Sequence, residues 1–128
     1  MTLQQLETIV IQSFCKLDSN ILEEMDEEAY YSHQYKRELI QRMDRLFKEI
    51  KNKGVTNLNV QDSECKFCYP TGKAYSFHHP ETREFIIRYV IAYDGETDEG
   101  EKIYTVEECR NNPIPDDFFE SWERRAGK

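Results

Sequence analysis

Apolar and polar positions alternate with a period of two over residues 74–79 and again over residues 84–93, as they do in strands with one buried face. In the second run, one side of the ribbon is wholly apolar and the other side is mixed. The apolar side carries Phe85, Ile87, Tyr89, Ile91 and Tyr93. We therefore predict that residues 84–93 form the central strand of a sheet and that this side packs on the core.

Neighbouring strands are predicted on both sides of this run. The spacer Pro80, Glu81 and Thr82 predicts a hairpin with a three-residue loop, in which Phe77 lies opposite Phe85. Residues 103–109 predict a third strand. Residues 55–60, which follow a glycine that can end a helix, predict a fourth. Together these segments predict a four-stranded antiparallel meander.

Helical spacing of apolar residues marks three segments ahead of the sheet. The first covers about residues 2–17 and opens with a capping box of Thr2 and Gln5. The second begins after Asp18 or Ser19, either of which can cap it, and reaches Ala29. The third covers about residues 34–53.

These elements predict an α+β fold in which N-terminal helices pack on the meander. Helices laid across a curved antiparallel sheet resemble the cystatin-like and nuclear-transport-factor-like rolls, although the order here, helices first and then a meander, departs from the latter. This is a likeness of architecture alone and implies neither an activity nor a site residue. We expect one domain over residues 1–128. Residues 1–54 would be its helical part, residues 55–109 its sheet, and residues 110–128 a tail with a short helix.

Composition narrows the possible partners. The chain of 128 residues has 25 acidic and 17 basic residues, a net charge of -8. That charge argues against a nucleic-acid backbone or an anionic membrane as the main partner and suits a basic protein. We also expect a cytoplasmic protein, since the sequence shows neither a signal-peptide pattern nor an apolar run of about 20 residues.

A metal site is predicted from the cysteines. In the cytoplasm, cysteines are thiols or metal ligands rather than structural disulfides. Cys65 and Cys68 have the spacing of two ligands of one tetrahedral zinc, and His78 and Cys109 could complete the set. The alternative is that no metal binds and the pair is two free thiols in a turn.

A binding surface is predicted where acidic residues and tyrosines meet. The second predicted helix is acidic and holds no basic residue, whereas the third is basic, so the two segments should pack against each other. Acidic residues beside tyrosines are also typical of interfaces, although they could merely keep the protein in solution. The candidate contact residues are Glu24, Glu27, Glu28, Tyr30, Tyr31 and Tyr35.

Three functions follow from these observations. The first is a protein–protein interaction module, such as an inhibitor, an immunity-type protein or a regulatory subunit. The second is a small-ligand carrier or an enzyme with a pocket on the apolar sheet face. The third is a zinc-binding structural domain. No phosphate-binding loop, nucleophile elbow or helical metal motif gives positive evidence for an enzyme.

Overall fold

The computed structural model describes residues 1–63 and 73–109. It confirms the α+β class, with helices packed against a five-stranded mixed sheet rather than a four-stranded antiparallel one. The spatial order of the strands is β1-β5-β4-β3-β2, and every neighbouring pair is antiparallel except β1 with β5. In chain order the elements are α1 (Leu3–Lys16), a 3₁₀ helix (Ser19–Glu24), β1 (Ala29–Tyr31), α2 (Lys36–Asn52), β2 (Asn59–Ser63), β3 (Lys73–His78), β4 (Phe85–Glu96) and β5 (Lys102–Glu108).

Helix α1 begins as predicted. Thr2 Oγ1 accepts a hydrogen bond from the Gln5 amide at 3.1 Å, and Gln5 Oε1 accepts one from the Thr2 amide at 2.7 Å. This capping box satisfies backbone N–H groups that have no partner inside the helix. The helix ends at Leu17, whose left-handed backbone (φ 49°) turns the chain away.

Helix α2 also matches its predicted position. It buries Leu39, Met43, Phe47 and Ile50, which recur at helical spacing on one face. The chain leaves the helix through Gly54, which has the positive φ (89°) that glycine adopts without strain.

The prediction of a second α-helix is wrong. A short 3₁₀ helix, capped by Asp18, covers Ser19–Glu24, and the chain then enters strand β1. Helix continuation would place Glu23 and Glu24 one turn from Glu27 and Glu28, and such like-charge pairs destabilise a helix. The tyrosines that follow favour a strand, and the edge of β5 gives them a pairing partner.

Strand β1 ends in a tight turn. The Tyr31 amide donates to the Gln34 carbonyl at 2.7 Å, and the Gln34 amide donates back to the Tyr31 carbonyl at 3.0 Å. Ser32 (φ 52°) and His33 (φ 66°) between them both have positive φ, as in a type I′ turn. Ser32 Oγ also accepts a hydrogen bond from the Val106 amide at 2.9 Å, which ties the turn to β5.

The register of the central hairpin differs from the prediction by two residues. Phe77 lies opposite Ile87, not Phe85, because the connection is longer than three residues. The His79 amide donates to the Glu84 carbonyl at 2.8 Å, and His79 Nδ1 accepts from the Glu81 amide at 3.1 Å, so residues 79–84 form an internally bonded loop. A shift by two keeps Tyr75, Phe77, Ile87 and Tyr89 on their predicted face. The register shifts again between Phe77 and His78, and Phe85 and Ile86 do not lie on the predicted faces: the Phe85 ring lies against His78 and Arg88, and Ile86 packs on the core.

Strand β2 also starts later than predicted, at Asn59 instead of Val55. Val55 and Leu58 are nevertheless buried in the core. The segment 55–58 therefore packs as an extended connection, and the strand pairing begins only when the chain reaches β3.

The core lies between the helices and the apolar sheet face, as predicted. The Phe14 ring of α1 lies 4.4 Å from the Phe77 ring, 4.7 Å from the Tyr89 ring and 5.1 Å from the Phe47 ring, measured between centroids. Tyr93 is an exception on this face, since it is 38% exposed next to an irregularity in the β4–β5 pairing. Aromatic packing on Phe14 thus joins both helices to the sheet.

The Ser32–His33 turn gives a stability prediction. Glycine adopts positive φ without the strain that a β-carbon causes, so His33→Gly should raise the free energy of unfolding by about 0.5–1 kcal/mol. Ser32→Gly should lower it instead, because the Val106 amide loses its acceptor. Urea denaturation of both variants tests this, and a His33→Gly variant less stable than the wild type would contradict the left-handed turn.

Candidate functional site

Tyr30 and Tyr35 form an aromatic pair at the surface. Tyr30 lies on β1, the edge strand of the sheet, and Tyr35 directly precedes α2. Their hydroxyl oxygens are 2.6 Å apart and their ring centroids 4.7 Å apart, with the ring planes tilted by 39°. Tyr35 is 48% exposed, so a large aromatic surface faces solvent at this point.

Tyr31 has a different role from its neighbours. It is fully buried, its ring stacks on Tyr104, and its hydroxyl donates to the Asp26 carbonyl at 2.7 Å. Burial, together with the nearby Asp26 carboxylate, raises the pKa of this hydroxyl far above its ordinary value. Tyr31 therefore anchors β1 in the core and is not part of the exposed surface.

Glu23 and Glu27 form ion pairs with the start of α2. Arg37 donates to both carboxylate oxygens of Glu23, at 2.5 and 2.6 Å, and this hydrogen bonding lowers the pKa of Glu23. Glu27 lies 3.9 Å from Arg37 and 4.0 Å from Lys36. The predicted packing of the acidic segment on the basic helix is confirmed by these pairs.

Glu24 and Glu28 differ from Glu23 and Glu27 in their ion pairing. Both side chains are exposed, and within residues 1–63 and 73–109 neither forms an ion pair. Their charge is thus not compensated by a nearby cation of the described chain.

A second acidic segment joins this surface through the sheet. Ala29 pairs with Lys102, so Glu28 and the loop before β5 meet at the same end of the two parallel strands. The pKa of Tyr30 is raised to about 12, first by its hydrogen bond with Tyr35, then by burial and by the charges of Glu101 and Glu99. We call this region the tyrosine–glutamate surface: Glu24, Glu27, Glu28, Tyr30, Tyr35, Glu99 and Glu101.

Glu99 and Glu101 belong to a second acidic cluster that the sequence shows, but sequence reasoning did not place them beside the tyrosines. They lie more than sixty residues from Tyr35, in a loop whose acidity is evident in the sequence. The signal that would have placed them is the pairing of β1 with β5. Periodicity reveals a strand but not which distant strand it pairs with.

The candidate zinc ligands are only partly placed. Cys65 and Cys68 lie outside the described residues. His78 pairs with Phe85, whereas Cys109 donates its amide to the Arg88 carbonyl and packs beside Ala74 and Val90. His78 and Ala74 are four residues apart on β3, roughly 13 Å along the strand. In the described ranges no three His, Cys, Asp or Glu side chains form a group suited to a metal ion, and the zinc site stays a prediction.

Comparison with protein-family models, with curated proteins and with solved structures gave no match. None of the helices in the described part of the chain has the length and apolar character that crossing a membrane would need. Function is therefore inferred from the geometry of the surface itself.

The tyrosine pair gives a titration prediction. Tyr35→Phe removes the hydrogen bond that most raises the pKa of Tyr30, so this pKa should fall from about 12 towards the ordinary value near 10. The raised pKa stabilises the folded protein below about pH 10, and this contribution is lost as the pH rises from about 10 to about 12. Carbon-13 chemical shifts of ring-labelled tyrosine, with Tyr30→Phe as the assignment control, measure it directly.

In the Glu101→Gln variant, the pKa of Tyr30 should fall by less than in Tyr35→Phe, because the charge of Glu101 raises it less than the hydrogen bond does. An unchanged Tyr30 titration in the Tyr35→Phe variant would mean that the two hydroxyl groups do not interact.

Proposed function

We propose that this protein is an interaction module that binds a basic partner protein through the tyrosine–glutamate surface. The observation that carries the proposal is the Tyr30–Tyr35 pair, in which Tyr35 is exposed and Tyr30 half-buried, together with the charges of Glu99 and Glu101 that act on Tyr30 from a distant part of the chain. Aromatic side chains supply most of the binding energy at many interfaces, and charges at the rim steer the partner. An inhibitor, an immunity-type protein and a regulatory subunit would all act in this way.

The charge distribution supports a basic partner. Lys36 and Arg37 offset the charges of Glu23 and Glu27, so folding accounts for those two carboxylates. It does not account for Glu24 and Glu28, which are exposed and form no ion pair within the described residues; Glu28 lies at the same end of the β1–β5 pair as the loop of Glu99 and Glu101. Like charges held close together repel one another, and a cationic partner would relieve that repulsion.

The carrier or enzyme alternative has less support. It needs a pocket on the apolar sheet face, but this face is occupied by the side chains of α1, with Phe14 packed directly on Phe77 and Tyr89. Within the described residues, this packing fills the part of the face that lies against Phe14.

The test is capture of partners with surface variants. Glu24→Lys with Glu28→Lys, and separately Tyr35→Ala, should each weaken partner binding by at least about tenfold. The matched control is Glu81→Lys with Glu84→Lys, which changes the net charge equally in the exposed β3–β4 loop, at the other end of β4 from β1. Pull-downs followed by affinity measurement on the recovered protein would compare them, with thermal melting as the check on folding.

Added salt should weaken binding mainly through slower association, because charge steers the encounter. The proposal fails if the surface variants and the control recover the same proteins with equal affinity.

A further inference from the structure

A cleft of about 710 Å³ is lined in part by Glu24, a member of the tyrosine–glutamate surface. One wall is the exposed face of α1, and the other is the end of the 3₁₀ helix with Asp26, which follows it. The residues that line the cleft include Met1, Gln4, Ile9, Gln12, Glu24 and Asp26. Its volume is within the range of pockets that hold small molecules or protruding side chains.

The cleft carries a carboxylate without a counter-charge. Asp26 is paired with the Met1 amino group, which lies 3.2 Å from its Oδ2 atom. Glu24 forms no ion pair within the described residues, and no lysine, arginine or histidine lines the cleft there. A group that enters next to Glu24 is therefore favoured if it is positively charged.

Hydrogen-bond acceptors continue along the α1 wall. Gln4 and Gln12 lie two turns apart on one face of the helix, and in the ranges 1–63 and 73–109 neither side chain is hydrogen bonded to the protein. Gln5 differs, since its side-chain oxygen is used in the capping box. Two amide oxygens and one carboxylate thus remain available to a ligand that donates several hydrogen bonds.

Apolar surface is present in the same cleft. Met1 and Ile9 are half-buried and pack against the core. A ligand with a hydrocarbon stem and a charged end could cover them while its end reaches the polar groups.

We propose that this cleft binds an arginine side chain of the partner protein. Guanidinium has donors enough for Glu24 and the glutamine oxygens at once, and its geometry matches a carboxylate in a two-point contact. Lysine has fewer donors and holds its water more tightly. The inference rests on the proposed function, and it names the group through which a basic partner is recognised: Glu24 belongs both to the cleft and to the tyrosine–glutamate surface.

The first experiment uses N-acetyl-arginine N-methylamide as the probe and its neutral citrulline counterpart as the control. In proton–nitrogen correlation spectra, the arginine probe should shift the backbone and side-chain signals of Gln4 and Gln12, and the citrulline probe should not. Glu24→Gln should weaken arginine binding about tenfold, because it removes the charged acceptor. Glu81→Gln, with the same loss of charge in the exposed β3–β4 loop, should leave it unchanged.

The second experiment tests whether the partner protein binds in the cleft. Thr8→Trp fills the cleft without a change of charge. Thr8 is exposed, and its hydroxyl donates to the Gln4 carbonyl of its own helix. This variant should lower partner affinity about tenfold, as Tyr35→Ala should.

The outcomes separate this inference from the proposed function. If Tyr35→Ala abolishes capture and Thr8→Trp does not affect it, the interaction module stands and the arginine cleft is overturned. If neither variant affects capture, the proposed function fails, and arginine binding by the isolated protein would then indicate a site for a free small cation. Equal binding of arginine and citrulline overturns the inference directly.

Discussion

The parallel pairing of β1 with β5 is the contact on which the described structure depends most. It joins Ala29–Tyr31 to Lys102–Tyr104, two segments that are far apart in the chain. It closes one edge of β5 and fixes where the 3₁₀ helix ends and where α2 begins. Without it, Tyr30 and Glu28 would have no defined position relative to Glu99 and Glu101.

So short a strand needs support from side chains, because three residues of backbone pairing are marginal in water. Tyr31 supplies much of this support through its buried ring and its bond to the Asp26 carbonyl. Lys36, itself 5% exposed, donates to the Glu23 carbonyl at 2.5 Å and so holds the end of the 3₁₀ helix against α2. Part of the acidic segment thus stabilises the fold, and its other carboxylates are exposed at the surface that we propose binds the partner protein.

The sequence predicted the elements whose signals are local and repeated. The alternation through Ile87, Tyr89 and Ile91 identified the buried face of β4, and Thr2 with Gln5 identified the start of α1. It did not predict β1, because Ala29–Tyr31 is too short to show a period and Ser32–His33 lacks the glycine or asparagine typical of its turn. The hairpin register was missed for a related reason: the hydrogen bonds to His79 that lengthen the loop cannot be read from residue spacing.

The same limits apply to the candidate site. Tyr30 and Tyr35 could be named from the sequence, since tyrosines beside acidic residues are conspicuous. That Tyr31 is buried follows from the alternation of a strand whose existence was not foreseen. Glu99 and Glu101 are brought to the candidate site by the pairing of β1 with β5, and no local sequence pattern predicts that pairing.

The pairing of β1 with β5 can be observed through cross-strand nuclear Overhauser contacts. Backbone contacts should connect Tyr30 with Ile103 and Tyr31 with Tyr104, in the parallel register. Helical contacts between residues three apart through positions 25–31, with no contact to residues 102–104, would contradict it.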